Sequence, residues 1–67
     1  MEQVQKQIED YLDAVEQVHG PEARNKLRVR WTGGTQVVLH HLSNGARRLV
    51  DLGSLRLMAR QLRRQAA

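Results

Sequence analysis

The chain has 67 residues, no cysteine and a formal net charge of +4 at pH 7. This length suffices for one small domain, and the absence of cysteine excludes disulfides and thiolate metal sites. No apolar run approaches the roughly 18–20 residues of a membrane span, and the first residues are too acidic for a signal peptide, so we expect a soluble cytoplasmic protein.

An amphipathic helix is predicted from about residue 2 to residue 19. Its apolar residues recur at steps of three and four, which places them on one face. They are Val4, Ile8, Tyr11, Leu12, Val15 and Val18. Gly20 followed by Pro21 predicts the end of this helix, because glycine readily adopts the left-handed cap and proline cannot continue a helix.

Three short strands are predicted after the polar connector PEARNK, at about 27–31, 36–42 and 46–52. LRVRW alternates strictly between apolar and polar, QVVLHHL is β-branched and apolar, and RRLVDL fits a shorter strand. TGGT and SNGA supply turn residues between them, and Asn-Gly is a strong hairpin signal. We therefore expect two hairpins that form a three-stranded antiparallel meander.

The side-chain pattern restricts the pairing, because a one-residue slip moves every side chain to the other face. A two-residue Asn-Gly loop pairs Leu39 with Val50 and Val37 with Leu52. A three-residue first loop places the apolar residues of the first strand, Trp31 included, on that same face, whereas a two-residue loop places them on the other. Core consistency favours the three-residue loop. The second face then mixes Arg28, Arg30, His40, Arg47 and Asp51 with Val38, Leu42 and Leu49.

The last helix is predicted at about 54–65, with Ser54 as its N-cap after Gly53. Its apolar stripe comprises Leu55, Met58, Ala59, Leu62 and Ala66. The predicted fold is a single α+β domain of order α-β-β-β-α, with both helices packed on one face of the sheet.

This order of elements is similar to that of double-stranded RNA-binding domains, over the whole length but at the level of topology only. In that family a lysine-rich motif opens the final helix, whereas GSLRLMAR contains no lysine. Small head–tail joining proteins of tailed phages also resemble the chain in size, with a helix, a hairpin and a second helix. Neither likeness rests on a motif, so neither assigns a function.

The sequence contains no set of residues typical of catalysis or of metal binding. Ser43 in a hairpin turn and Ser54 at a helix start both have ordinary structural explanations. His40 and His41 are neighbours on one strand, so their rings point to opposite faces and do not chelate together. We expect a protein that is not an enzyme and that carries neither metal nor cofactor.

Charge is divided unevenly along the chain. Residues 1–22 carry six acidic side chains against one lysine, whereas residues 23–67 carry nine arginines and one lysine against one acid. A basic half of this kind is typical of a surface for nucleic acid or for an acidic partner. The candidate contacts are Arg56, Arg60, Arg63, Arg64, Arg28 and Arg30. The alternative interpretation is a solvated face that opposes the helix dipole and attracts the acidic helix.

Apolar residues remain once one core is filled, and such leftover surface often marks an interface. The candidates for a protein interface are Val38, Leu42, Leu49 and Leu57. The sequence therefore favours a small binding or adaptor module that acts through protein contacts, including self-association as a homodimer. The alternative is a nucleic-acid-binding module that uses the arginine face of the last helix.

Overall fold

The computed structural model describes residues 2–66, and their side chains from residue 3 to residue 65. The elements are α1 (Glu2–His19), α2 (Pro21–Asn25), β1 (Leu27–Trp31), β2 (Gln36–His41), β3 (Ala46–Asp51) and α3 (Leu52–Ala66). The strands form one antiparallel sheet with β2 at its centre. Two main helices and a three-stranded antiparallel sheet in this order confirm the predicted α+β class.

One hydrophobic core lies between the long helices and one face of the sheet. α1 and α3 make the most extensive contact between any two elements. The buried residues are Val4, Ile8, Tyr11, Ala14, Val15, Leu27, Val37, Leu39, Val50, Leu55 and Ala59. Leu12, Val29, Met58 and Leu62 pack against them. The side chain of Ala66, predicted to join the stripe of α3, lies outside the described residues.

The first hairpin agrees with the predicted three-residue loop. Trp31 pairs with Val37, and the Thr32 N–H donates to the Gln36 carbonyl at 3.3 Å, which leaves Gly33–Thr35 as the loop. Both glycines of this loop have positive φ. Trp31 lies on the predicted face but at its margin, since the side chain is 38% exposed and its Nε1–H donates to the Gly34 carbonyl.

The second hairpin is wider than predicted. Val37 pairs with Val50, and His41 pairs with Ala46, so residues 42–45 form a four-residue turn. The Asn-Gly loop needs positive φ at both residues, but here only Gly45 has it. The Asn44 side chain instead accepts a hydrogen bond from the Ala46 N–H at 2.9 Å. The register therefore shifts by two residues, which keeps the same side chains in the core.

The third helix begins earlier than predicted, at Leu52, and Ser54 is not its N-cap. Asp51 takes that role, because its Oδ1 accepts the Ser54 N–H at 2.8 Å. Hydrogen bonds from Ser54, through its side chain and its backbone, lower the pKa of Asp51. The early helix start also ends β3 at Asp51, one residue before the predicted boundary.

The connector PEARNK contains a short helix, α2, that the sequence analysis missed. Gly20 ends α1 as predicted, with φ of 92° and its N–H donating to the Glu16 carbonyl at 2.8 Å. Pro21 then occupies the first turn of α2, where its missing N–H costs nothing. Arg24 of α2 forms ion pairs with Asp13 and Glu16, which hold the connector against α1.

Candidate functional site

The candidate site is the face of the sheet that no helix covers. Alternation along the strands puts even-numbered residues of β1 and β2 and odd-numbered residues of β3 on this side. Leu42 extends the pattern beyond β2, since its N–H donates to the Lys26 carbonyl at 2.8 Å. We call this surface the uncovered face, and its residues are Arg28, Arg30, Gln36, Val38, His40, Leu42, Arg47, Leu49 and Asp51.

Cross-strand pairing arranges the uncovered face in rows. One row runs from Arg28 through His40 to Arg47, and the next from Arg30 through Val38 to Leu49. Directly opposite residues of neighbouring strands have Cβ atoms about 4.5–5.5 Å apart, so each row is a set of direct neighbours. The result is an apolar pair, Val38 and Leu49, with Arg30 beside Val38 and with His40 between Arg28 and Arg47 in the next row.

The arginines of the uncovered face have no ion-pair partner among the described residues. The pairs that the structure contains in residues 3–65 use Arg24 and Arg63, which lie elsewhere. Arg28, Arg30 and Arg47 are all exposed, whereas Val38 and His40 between them are half-buried. An acidic ligand on this face would therefore meet charges that are not already neutralised within the domain.

The six arginines predicted as one contact surface lie on different sides of the molecule. Arg28 and Arg30 are on the uncovered face, whereas α3 packs against the other face of the sheet. Arg60 and Arg64 are exposed on α3, and Arg56 lines a polar groove between α1 and α3. The sheet thus separates the strand arginines from the helix arginines.

Arg63 is occupied by an intramolecular contact. Its Nη2 lies 2.7 Å from Oδ1 of Asp10 and 3.4 Å from the Asp10 carbonyl oxygen. This hydrogen bond lowers the pKa of the Asp10 carboxyl. The sequence analysis gave attraction between the acidic and basic helices as the alternative to a ligand surface. The contact of Arg63 with Asp10 agrees with that alternative.

The Asp10–Arg63 pair gives a measurable pH dependence. Because the pKa of Asp10 is lower in the folded state, the pair stabilises the fold above the unfolded pKa of about 3.9, and this contribution is lost as pH falls through the folded value. Both side chains are about half exposed, so solvent screens the pair and we expect its contribution to stability to be small. A carboxyl NMR titration should give an Asp10 midpoint below 3.8.

Two variants test that assignment. Arg63→Gln is expected to return the Asp10 midpoint to about its ordinary value. Arg64→Gln removes the same charge from the next position of α3 and should leave the midpoint unchanged. If both variants shift the Asp10 midpoint equally, the pKa of Asp10 depends on the overall charge of α3 and not on the hydrogen bond from Arg63.

The four candidates for a protein interface are also divided. Val38 and Leu49 are cross-strand partners on the uncovered face, and Leu42 lies on the same side at the turn. Leu57 lies on α3, where it lines a groove with Leu49 along the outer edge of β3. Leu49 is 57% exposed and Leu57 is 56% exposed. Leu49 therefore belongs both to the uncovered face and to this edge groove.

Arg47 and His40 belong to the site, although neither is among the six residues predicted as its contacts. Alternation already placed both on the second face of the sheet. The predicted meander already made β2 the central strand, and the observed pairing places His40 between arginines of both neighbouring strands. Strand order is the signal that identifies them.

Other kinds of site find no support among the described residues. No group of three or more histidine, cysteine or acidic side chains there is placed to hold a metal ion. Within the same part of the chain, no helix is long and apolar enough to cross a membrane. No protein-family model, no curated protein and no solved structure matches the chain.

Proposed function

We propose that the chain is a binding module without catalytic activity, which holds an acidic, partly apolar protein segment on the uncovered face. The observation that carries the proposal is the apolar pair Val38 and Leu49 beside three arginines that lack an acidic partner within residues 3–65. A segment with alternating acidic and apolar side chains complements both features.

The two features make different contributions to binding. Burial of apolar surface supplies affinity that salt does not screen, at roughly 25 cal/mol per Å². Charge complementarity favours acidic partners and speeds association more than it adds affinity. Arg28 and Arg30 lie on one strand two residues apart, which matches alternate side chains of an extended ligand.

The composition of the face favours protein over nucleic acid. Single strands are bound by several stacking aromatic side chains. Trp31 lines a groove with Arg28, Arg30 and Arg47, but its indole N–H is bonded to Gly34, and Tyr11 is buried. A duplex would be held by many phosphate contacts, whereas the sheet separates the strand arginines from those of α3. The uncovered face also contains leucine and valine, and these apolar side chains do not contribute to phosphate binding.

The test is an NMR titration with an extended synthetic peptide that alternates glutamate and valine. We expect amide shifts at Arg30, Val38 and His40 that persist in part at moderate salt. The same peptide with glutamine in place of glutamate should bind more weakly. A random DNA duplex serves as the competing probe.

Paired substitutions sharpen the test. Arg28→Gln with Arg30→Gln should raise the dissociation constant for the peptide about two- to thirtyfold, since exposed ion pairs contribute about 0.2–1 kcal/mol each. Arg60→Gln with Arg64→Gln removes the same charge from α3 and should have little effect.

Three results would contradict the proposal. One is equal binding of the glutamate and glutamine peptides, and another is an equal effect of the strand and helix substitutions. The third is a response to duplex DNA alone that disappears at moderate salt, which would assign the arginines to nucleic-acid binding.

A further inference from the structure

The outer edge of β3 has backbone groups that do not bond within the sheet. The Leu52 N–H donates to the Thr35 carbonyl at 2.7 Å, and this pair lies on the β2–β3 register. Hydrogen-bonded pairs alternate in an antiparallel ladder, so the even-numbered residues of β3 bond to β2. Arg47, Leu49 and Asp51 therefore direct their N–H groups away from the sheet, toward the edge.

From this edge we infer that two copies of the chain pair their β3 strands antiparallel, about a twofold axis at Leu49. This inference goes beyond the proposed function, because it concerns the sheet edge and a second copy of the chain. The pairing places Leu49 opposite Leu49 of the second copy. It places Arg47 opposite the second copy's Asp51, and the two three-stranded sheets become one six-stranded sheet.

The hydrogen-bond pattern fits this pairing. Residues with outward N–H groups lie opposite one another, so the two Leu49 residues exchange N–H···O=C bonds. Each Asp51 N–H reaches the Arg47 carbonyl of the other copy. A register shifted by one residue would place outward groups opposite inward ones and would lose these bonds.

The side chains fit it as well. Leu49 packs against Leu49 of the second copy on the uncovered face. This contact buries a side chain that is 57% exposed in the single chain. Each Arg47 lies opposite an acidic residue, and opposite charges in such a cross-strand pair are stabilising. On the helix side, the edge groove with Leu57, Met58 and Gln61 faces the same groove of the second copy.

The other edge of the sheet does not allow the same association. The outward groups of β1 belong to Leu27, Val29 and Trp31, by the same alternation. Twofold pairing about Val29 would place Arg28 of each copy opposite Arg30 of the other on one face. Like charges directly opposite are destabilising, so β1 is protected against self-pairing and β3 is not.

The experiment is a charge exchange measured by sedimentation equilibrium over a wide range of concentration. The unmodified chain should be in monomer–dimer equilibrium. Arg47→Asp alone and Asp51→Arg alone each place like charges opposite one another in their own dimers. We expect each to raise the dimer dissociation constant about tenfold or more.

An equimolar mixture of the two variants is the decisive sample. In a mixed dimer every position 47 lies opposite a residue of the other sign at position 51, so dimerisation should return and native mass spectrometry should find the heterodimer. Arg60→Asp, which changes the same charge on the exposed side of α3, should dimerise like the unmodified chain.

A second readout avoids substitutions, because Asp51 also caps α3 and its loss can disturb folding. Hydrogen exchange of the Leu49 amide should slow as concentration rises, while that of Val29 on the opposite edge should not change. A monomer at every concentration, a mixture that stays monomeric, or an unaffected Leu49 amide would each overturn the inference.

The two proposals fail separately. The strand substitutions Arg28→Gln and Arg30→Gln should weaken peptide binding about two- to thirtyfold and leave the dimer intact. Leu57→Glu, on the α3 side of the edge groove, places like charges where the groove faces its own copy, and it should weaken dimerisation and leave peptide shifts at Arg30 and Val38. If either change leaves its own property unaffected, the corresponding proposal is wrong and the other still stands.

Discussion

Leu39→Ala should leave little of the chain folded at 25 °C. Leu39 is 1% exposed and lies on the central strand, between both neighbouring strands and the helices. Truncation of a buried leucine to alanine costs about 2–5 kcal/mol, whereas the core of a chain this short supplies only about 3–5 kcal/mol. Urea unfolding followed by circular dichroism should show the loss of most of the pretransition baseline.

The matched control is Leu42→Ala in the turn that follows β2. It removes the same atoms from a side chain that is 43% exposed, so we expect a change within about ±0.5 kcal/mol. Equal losses at the two positions would show that Leu39 is not at the centre of the core.

Ala14→Leu should have the second largest effect, through overpacking. Ala14 on α1 and Ala59 on α3 are 0% and 1% exposed, and these helices make the most extensive contact in the domain. Extra methylene groups in a closely packed core cost about 1–3 kcal/mol. For a chain of this size each kcal/mol lowers Tm by roughly 4–8 °C, which calorimetry resolves readily.

Gln17→Leu is the control for that substitution. It places a leucine on the exposed side of the same helix and should change stability by less than about 0.5 kcal/mol. If Ala14→Leu were as stable as the unmodified chain, the contact between α1 and α3 could not be closely packed. A loss at both positions would point to an effect on α1 itself.

The elements with strong periodicity were predictable from the sequence. Val4, Ile8 and Val15 repeat at helical spacing, and Leu27 and Val29 alternate at strand spacing, so burial of one face determined both types of element. Ala14 was not predicted as a core residue because alanine is only weakly hydrophobic. It is nevertheless fully buried, at a position with no room for a larger side chain.

Local hydrogen bonds caused the errors. Asn44 suggested a tight loop, but its side chain bonds to the Ala46 N–H and supports a longer turn. Asp51 lies in β3 as predicted, but it also caps α3, in place of Ser54, and moves the helix start to Leu52. A short polar side chain can satisfy the backbone in several ways, and the choice depends on neighbours that the sequence does not place.

The candidate site was predictable only in part. Alternation of side chains along the strands placed Arg28, Arg30 and Val38 on one face. That prediction needs only the pairing of β1 with β2. The separation of the strand arginines from those of α3 depends on the path of the chain after β3. The pairing of Arg63 with Asp10 likewise joins residues that are 53 positions apart, a distance over which local patterns carry no information.

The contact between α1 and α3 also determines when the domain can fold during synthesis. The strands pair with their neighbours in sequence, so both hairpins can form as soon as they are made. α1 is synthesised first but finds its main partner only when residues up to Leu62 have emerged, and until then its apolar face has only the sheet to contact. We therefore expect α1 to bury its apolar face fully only after most of α3 has been synthesised, and a chaperone would bind in that interval.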